Sequence, residues 1–123
     1  MPNYFRGMEG GYTDLTFLGN FCKGDRTRME KYIRLYLQGA PGGFALMEER
    51  LGADDAEGLA VAAHSLRPQA NYMGAQRLFD LLTEIEALAR NKGASACTAQ
   101  VKEAVELNRL VLEELYASLT PLP

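Results

Sequence analysis

The feature that most constrains this chain is its repeated helical period. Apolar residues recur at three- and four-residue spacing in four long stretches, with glycine, proline, asparagine or aspartate between them. No stretch alternates apolar and polar residues beside a hairpin turn, so the sequence gives no strand signal. Short connections between amphipathic helices force neighbours to run antiparallel. The expected fold is all-α: an antiparallel up-down four-helix bundle with a short additional N-terminal helix.

The punctuation divides the chain as follows. Residues 1–12 are rich in glycine, tyrosine and asparagine and are expected to form a flexible arm; residues 13–120 are expected to form the bundle domain. A short helix starts near Thr13 or Asp14 and ends near Lys23-Gly24. A long helix starts at Asp25, a good N-cap, and carries Met29, Ile33, Tyr36, Leu37, Phe44, Met47 and Leu51. Pro41-Gly42-Gly43 is expected to kink or break it, because proline removes a backbone donor and glycine adds backbone freedom. Asp54, with Glu57 three residues on, reads as a capping box that opens a helix running to about Met73. Gly74 marks a turn, and a helix over about 75–91 follows. The last helix begins near Thr98 and stops at Pro121.

Composition narrows the function classes. A chain of 123 residues, 47% hydrophobic and 24% charged, has the balance of one globular domain. A net charge of -3 without a basic stripe argues against nucleic acid. Cys22 and Cys97 are far apart, form no C-x-x-C pair, and read as reduced buried thiols. No segment is long and apolar enough for a membrane, and the N-terminus has no signal-peptide core. A soluble cytoplasmic protein is the expectation, and a polar-faced lone bundle is expected to be a monomer.

The chemistry centres on one residue. His64 is the only histidine, in the run Ala63-His64-Ser65-Leu66-Arg67-Pro68-Gln69-Ala70-Asn71-Tyr72-Met73-Gly74-Ala75. A lone histidine is usually a core or capping residue. At about 100° per residue, however, Leu59, Ala62, Ala63, Leu66, Ala70 and Met73 share one arc, and His64 lies about 150° from its centre. Arg67, Pro68, Asn71 and Ala75 fall on the side of His64. Arg67 carries a guanidinium suited to phosphoryl oxygens; otherwise it is a solvated surface arginine. Pro68 lacks the N–H that would bond the His64 carbonyl, and is expected to kink the helix. Glu86 and His64 are equally spaced about Ala75, so antiparallel helices joined there bring them to one height. A carboxylate at that height can take one imidazole N–H and leave the other nitrogen as nucleophile; otherwise Glu86 is a solvated helix-flank residue.

These residues resemble the histidine-containing phosphotransfer (HPt) domain family. Its pattern, Ala-His-x-Leu-Lys-Gly followed by a Gly-Ala turn and a leucine-rich helix, is matched by Ala63-His64-Ser65-Leu66-Arg67-Pro68, Gly74-Ala75, Leu78, Leu82 and Ile85-Glu86. The helix layout extends the likeness over roughly residues 13–118. The resemblance implies that His64 accepts a phosphoryl group on Nε2 from a receiver-domain aspartate and passes it to another. Arg67, in place of the family's lysine, would assist the phosphoryl group, and Glu86 would orient the imidazole. Pro68, in place of glycine, and Asn71 would lie on the docking surface. The implied partners are response-regulator receiver domains and a hybrid sensor histidine kinase. No cofactor is expected on this chain, with Mg²⁺ on the receiver only, and no kinase ATP-binding region is legible. The expectation is therefore a phosphocarrier, not an enzyme. The competing expectation is a non-phosphorylated bundle of the same fold that acts only by protein interaction, which the Pro68 departure keeps open.

Overall fold

The computed structural model describes residues 11–119, which form five α-helices: α1 (Thr16–Phe21), α2 (Arg26–Gly52), α3 (Ala56–Tyr72), α4 (Gln76–Lys92) and α5 (Thr98–Leu119). Helices α2 to α5 make the antiparallel four-helix bundle, and α1 packs on α2. Residues 1–10 of the expected arm and Pro121, the expected stop, lie outside the described residues.

Each helix buries the face that its period marks. Met29, Ile33, Tyr36, Leu37, Phe44 and Met47 of α2 meet Leu59, Ala62, Ala63, Leu66 and Ala70 of α3 in one core. Leu78, Leu82 and Ile85 of α4 and Val101, Ala104, Val111 and Leu115 of α5 complete it. One polar pair is sealed inside: Tyr36 donates its hydroxyl to Asn108 Oδ1 at 2.6 Å, between α2 and α5. Burial pushes the Tyr36 hydroxyl well above the usual tyrosine range, so it stays a donor.

Several boundaries differ from the sequence expectations. The first helix is shorter than expected. Thr13 is drawn into a staple on α5: the N–H groups of Tyr12 and Thr13 and the Thr13 hydroxyl donate to the Glu114 carboxylate at 2.7, 3.0 and 2.9 Å. Asp14 in turn donates its N–H to Met73 O. At the other end, Lys23 and Gly24 take positive φ and stop the helix before them.

Pro41-Gly42-Gly43 does not break α2, which runs unbroken from Arg26 to Gly52. The local penalty is about 3 kcal/mol for the proline and about 1 kcal/mol for each glycine. Burial of Ile33, Tyr36 and Leu37 before the triplet and of Phe44 and Met47 after it outweighs that, at roughly 1.5–3 kcal/mol per side chain. Gly43 also has a packing role, because a Cβ there would sit 2.6 Å from Leu66 Cδ2.

The cap of α3 is Asp55 rather than Asp54. Asp55 Oδ1 accepts the Gly58 N–H at 2.9 Å, while Asp54 is a turn residue at φ 55°. The third helical position is therefore Gly58, no capping box forms, and Glu57 is released for another use. Between α4 and α5 the chain makes an unanticipated 3₁₀ turn, Ala94–Cys97, that buries Ala94 and Cys97.

Gly74 fixes the α3–α4 turn twice over. Its φ is +62°, and a Cβ would lie 1.9 Å from the backbone oxygen of Asp14. Gly39, on the exposed side of α2, has nothing within 4 Å of a Cβ position. The two glycines therefore predict opposite outcomes in urea unfolding. Gly74→Ala should destabilise by more than about 1 kcal/mol, and Gly39→Ala should stabilise by about 0.5–1 kcal/mol.

Candidate functional site

The α3–α4 hairpin sets the site. The tight turn at Gly74 brings the middle of α3 beside the middle of α4, and His64 and Glu86 meet there. His64 Nδ1 lies 3.0 and 3.1 Å from the two Glu86 carboxylate oxygens. A carboxylate only accepts, so Nδ1 carries the proton and donates it. Both bonds run through Nδ1, and no hydrogen bond engages Nε2 among the described residues. The His64 side chain is 63% exposed and that of Glu86 13%. The imidazole is therefore exposed while the carboxylate that holds its Nδ1 is shielded.

Glu86 gathers three donors. Arg67 Nη1 donates to Oε1 at 3.0 Å, and Arg90 Nη1, one turn along α4, donates to Oε2. Burial pushes the Glu86 carboxyl up, but the hydrogen bonds from His64, Arg67 and Arg90 outweigh it and hold the carboxyl below its usual range. Glu86 is thus an ionised anchor between two helices.

Arg67 is turned inward onto Glu86 in this state. Its guanidinium carbon also lies 5.1 Å from the centre of the Phe79 ring, a cation–π contact that places it against α4. Its Nε is buried without a hydrogen-bond partner. Pro68 and Asn71 are exposed on α3, beyond His64. Pro68 sits inside α3, which continues to Tyr72, and the His64 carbonyl lacks the N–H that residue 68 would otherwise supply. Ala75 is not on this face. It is fully buried, because α3 ends at Tyr72 and the Gly74 turn redirects the chain before helical angles can be counted that far.

The structure thus brings His64, Arg67 and Glu86 together and leaves Pro68 and Asn71 beside them on the surface. Sequence reasoning missed Arg90 and Glu57. Arg90 Nη2 also reaches Glu57 Oε1, 3.5 Å away on α3. The i,i+4 spacing of Glu86 and Arg90 was the available signal for the first contact. A second surface feature begins two turns from His64: Tyr72 joins Phe17, Phe21 and Tyr32 in a ring cluster with centroids 5.6–6.2 Å apart. Phe17 and Phe21 remain 48% and 43% exposed.

Among the described residues no group of three His, Cys, Asp or Glu side chains is placed to hold a metal ion, and no helix is long and apolar enough to cross a membrane. The structure is a helical bundle with an exposed imidazole braced by a carboxylate from the next helix. The Hpt domain family model matches residues 31–119, well over half of the chain, and the chain belongs to that family. Its members have a phosphotransfer role in two-component signalling, as phosphocarriers that interact with receiver domains and kinases. No curated protein and no solved structure matches the chain.

The pairing of Glu86 has a pH signature. Its carboxyl is lowered in the folded state, so the ionised form adds stability above the unfolded value of about 4.3, and that stability is lost as pH falls through the folded value. Urea unfolding of wild type and Glu86→Gln from about pH 5 to about pH 2 should show the wild-type advantage shrinking with acid. An advantage that stays constant over that range contradicts the ionised pairing.

Proposed function

We propose that the chain is a phosphorelay intermediate: His64 Nε2 accepts a phosphoryl group from a receiver-domain aspartyl phosphate and returns it to another receiver aspartate. The observation that carries this reading is the split of the imidazole. Nδ1 is tied to Glu86 at 3.0 Å, and Nε2 makes no hydrogen bond among the described residues in a side chain that is largely exposed. In the forward step the Nε2 lone pair forms the N–P bond while the aspartyl O–P bond breaks, and its electron pair leaves on the carboxylate. The ring keeps its Nδ1 proton and so gains a positive charge. Glu86 stands where that charge develops, which favours the transfer electrostatically.

Arg67 is the cation assigned to the phosphoryl oxygens. It starts one turn from His64 and already holds Glu86, so taking up that role requires its guanidinium to turn outward. Phosphoryl transfer needs in-line approach and charge neutralisation more than covalent machinery, and a bundle with one imidazole and nearby arginines suits it. The remaining neutralisation, including Mg²⁺, is assigned to the receiver.

Docking must bring the reacting atoms to about 3–3.5 Å. A partner that does so covers roughly 800 Å² of this surface. Pro68 and Asn71, together with the exposed Val61 one turn before His64, lie within such a footprint. The upstream donor is read as a hybrid sensor kinase and the site of action as the cytoplasm.

The test is transfer of label from a phosphorylated receiver domain. Wild type should take acid-labile, base-stable label, and His64→Gln should take none. Unlabelled wild type with several donors would sink the relay and leave an interaction-only bundle. Label on His64→Gln would remove His64 from the mechanism.

A further inference from the structure

The geometry points to Arg90 as the positioning residue that keeps Glu86, and through it the His64 imidazole, in place while Arg67 is engaged with the phosphoryl group. The inference rests on His64 being the phosphoryl acceptor. It divides labour between two arginines that otherwise look equivalent on the same carboxylate.

The contacts distinguish the two. Arg67 Nη1 and Arg90 Nη1 occupy opposite oxygens of Glu86, Oε1 and Oε2. Arg67 shares a helix with His64 and is one turn from it, so it is the cation that can swing toward Nε2. Once it does so, Oε1 loses that donor. If Arg67 were the only brace, Glu86 would be released at the moment when the imidazole must stay fixed. Arg90 lies one turn after Glu86 on α4, and its bond does not depend on where Arg67 points. Glu57 braces Arg90 from α3, two turns before His64, at 3.5 Å. The chain Glu57–Arg90–Glu86–His64 therefore crosses from α3 to α4 and back, closed at both ends on the helix that carries the nucleophile.

Charge supports the same division. With neutral His64, the charges of Glu57, Glu86, Arg67 and Arg90 cancel. Without Arg90, the cluster is negative just as a dianionic phosphoryl group approaches, and like charges oppose each other. Glutamine at position 86 would need no such cation. A carboxylate does, which accounts for an arginine at i+4 in this chain.

The experiment uses the full chain labelled with ¹⁵N in the histidine ring. Long-range ¹H–¹⁵N spectra report the tautomer, and phosphoramidate serves as a small phosphodonor: its P–N bond breaks, ammonia leaves, and the Nε2–P bond forms. Wild type should show Nδ1 protonated and Nε2 bare. Arg67→Gln should keep that tautomer. Arg90→Gln should keep that tautomer at rest, because Arg67 still holds Oε1, but label about tenfold more slowly, the scale expected when an orienting partner is removed. Arg90→Lys, which keeps the charge at i+4, should restore most of the rate. The double variant Arg67→Gln, Arg90→Gln should give a tautomer mixture. An unchanged rate in Arg90→Gln overturns the assignment, as does a tautomer mixture in Arg67→Gln alone or a wild-type tautomer in the double variant. The relay itself is decided by label from receiver domains, and the tautomers alone decide whether Arg90 holds Glu86.

Discussion

The Glu86 carboxylate is the contact on which the site depends. It is mostly shielded, it bridges α3 and α4, and it accepts from His64, Arg67 and Arg90 at once. Removing a carboxylate from water is costly unless its lone pairs are satisfied by good donors. Here three donors satisfy them, and one of those donors is the imidazole whose orientation matters. The same arrangement that keeps the charge tolerable also fixes which ring nitrogen is free.

That contact exists because the hairpin is tightly determined. Gly74 takes a left-handed conformation and lets the backbone of Asp14 approach it closely. Asp14 bonds back to Met73, and the residues just before it are stapled to Glu114 on α5. The segment leading into α1 thus buttresses the turn that sets the relative height of His64 and Glu86. On the far side of α3, Gly43 lets α2 come close to Leu66, so the helix carrying His64 is held from both neighbours.

Much of this was legible in the sequence, for identifiable reasons. Helical period placed the buried faces, and the equal spacing of His64 and Glu86 about Ala75 put them at one height. What was not legible depended on tertiary context. Pro41-Gly42-Gly43 reads locally as a break, but burial on both sides carries α2 through it. Asp54 and Asp55 are equivalent as caps by residue type, and only the turn that puts Asp54 at positive φ selects Asp55. Ala75 leaves the face that the helical period assigns it, because α3 ends at Tyr72 and the turn at Gly74 buries it. Arg90 carried an i,i+4 signal, but its link to Glu57 joins residues 33 positions apart and needs the fold to be seen.

The central claim is that Glu86 reserves Nδ1 as a donor and so makes Nε2 the reacting nitrogen of His64. The most direct measurement is the site of the N–P bond in the phosphorylated protein, read from ring ¹⁵N shifts and ³¹P coupling. The account predicts phosphorus on Nε2, with the proton retained on Nδ1. Phosphorus on Nδ1 would contradict it, because that nitrogen could not then donate to Glu86.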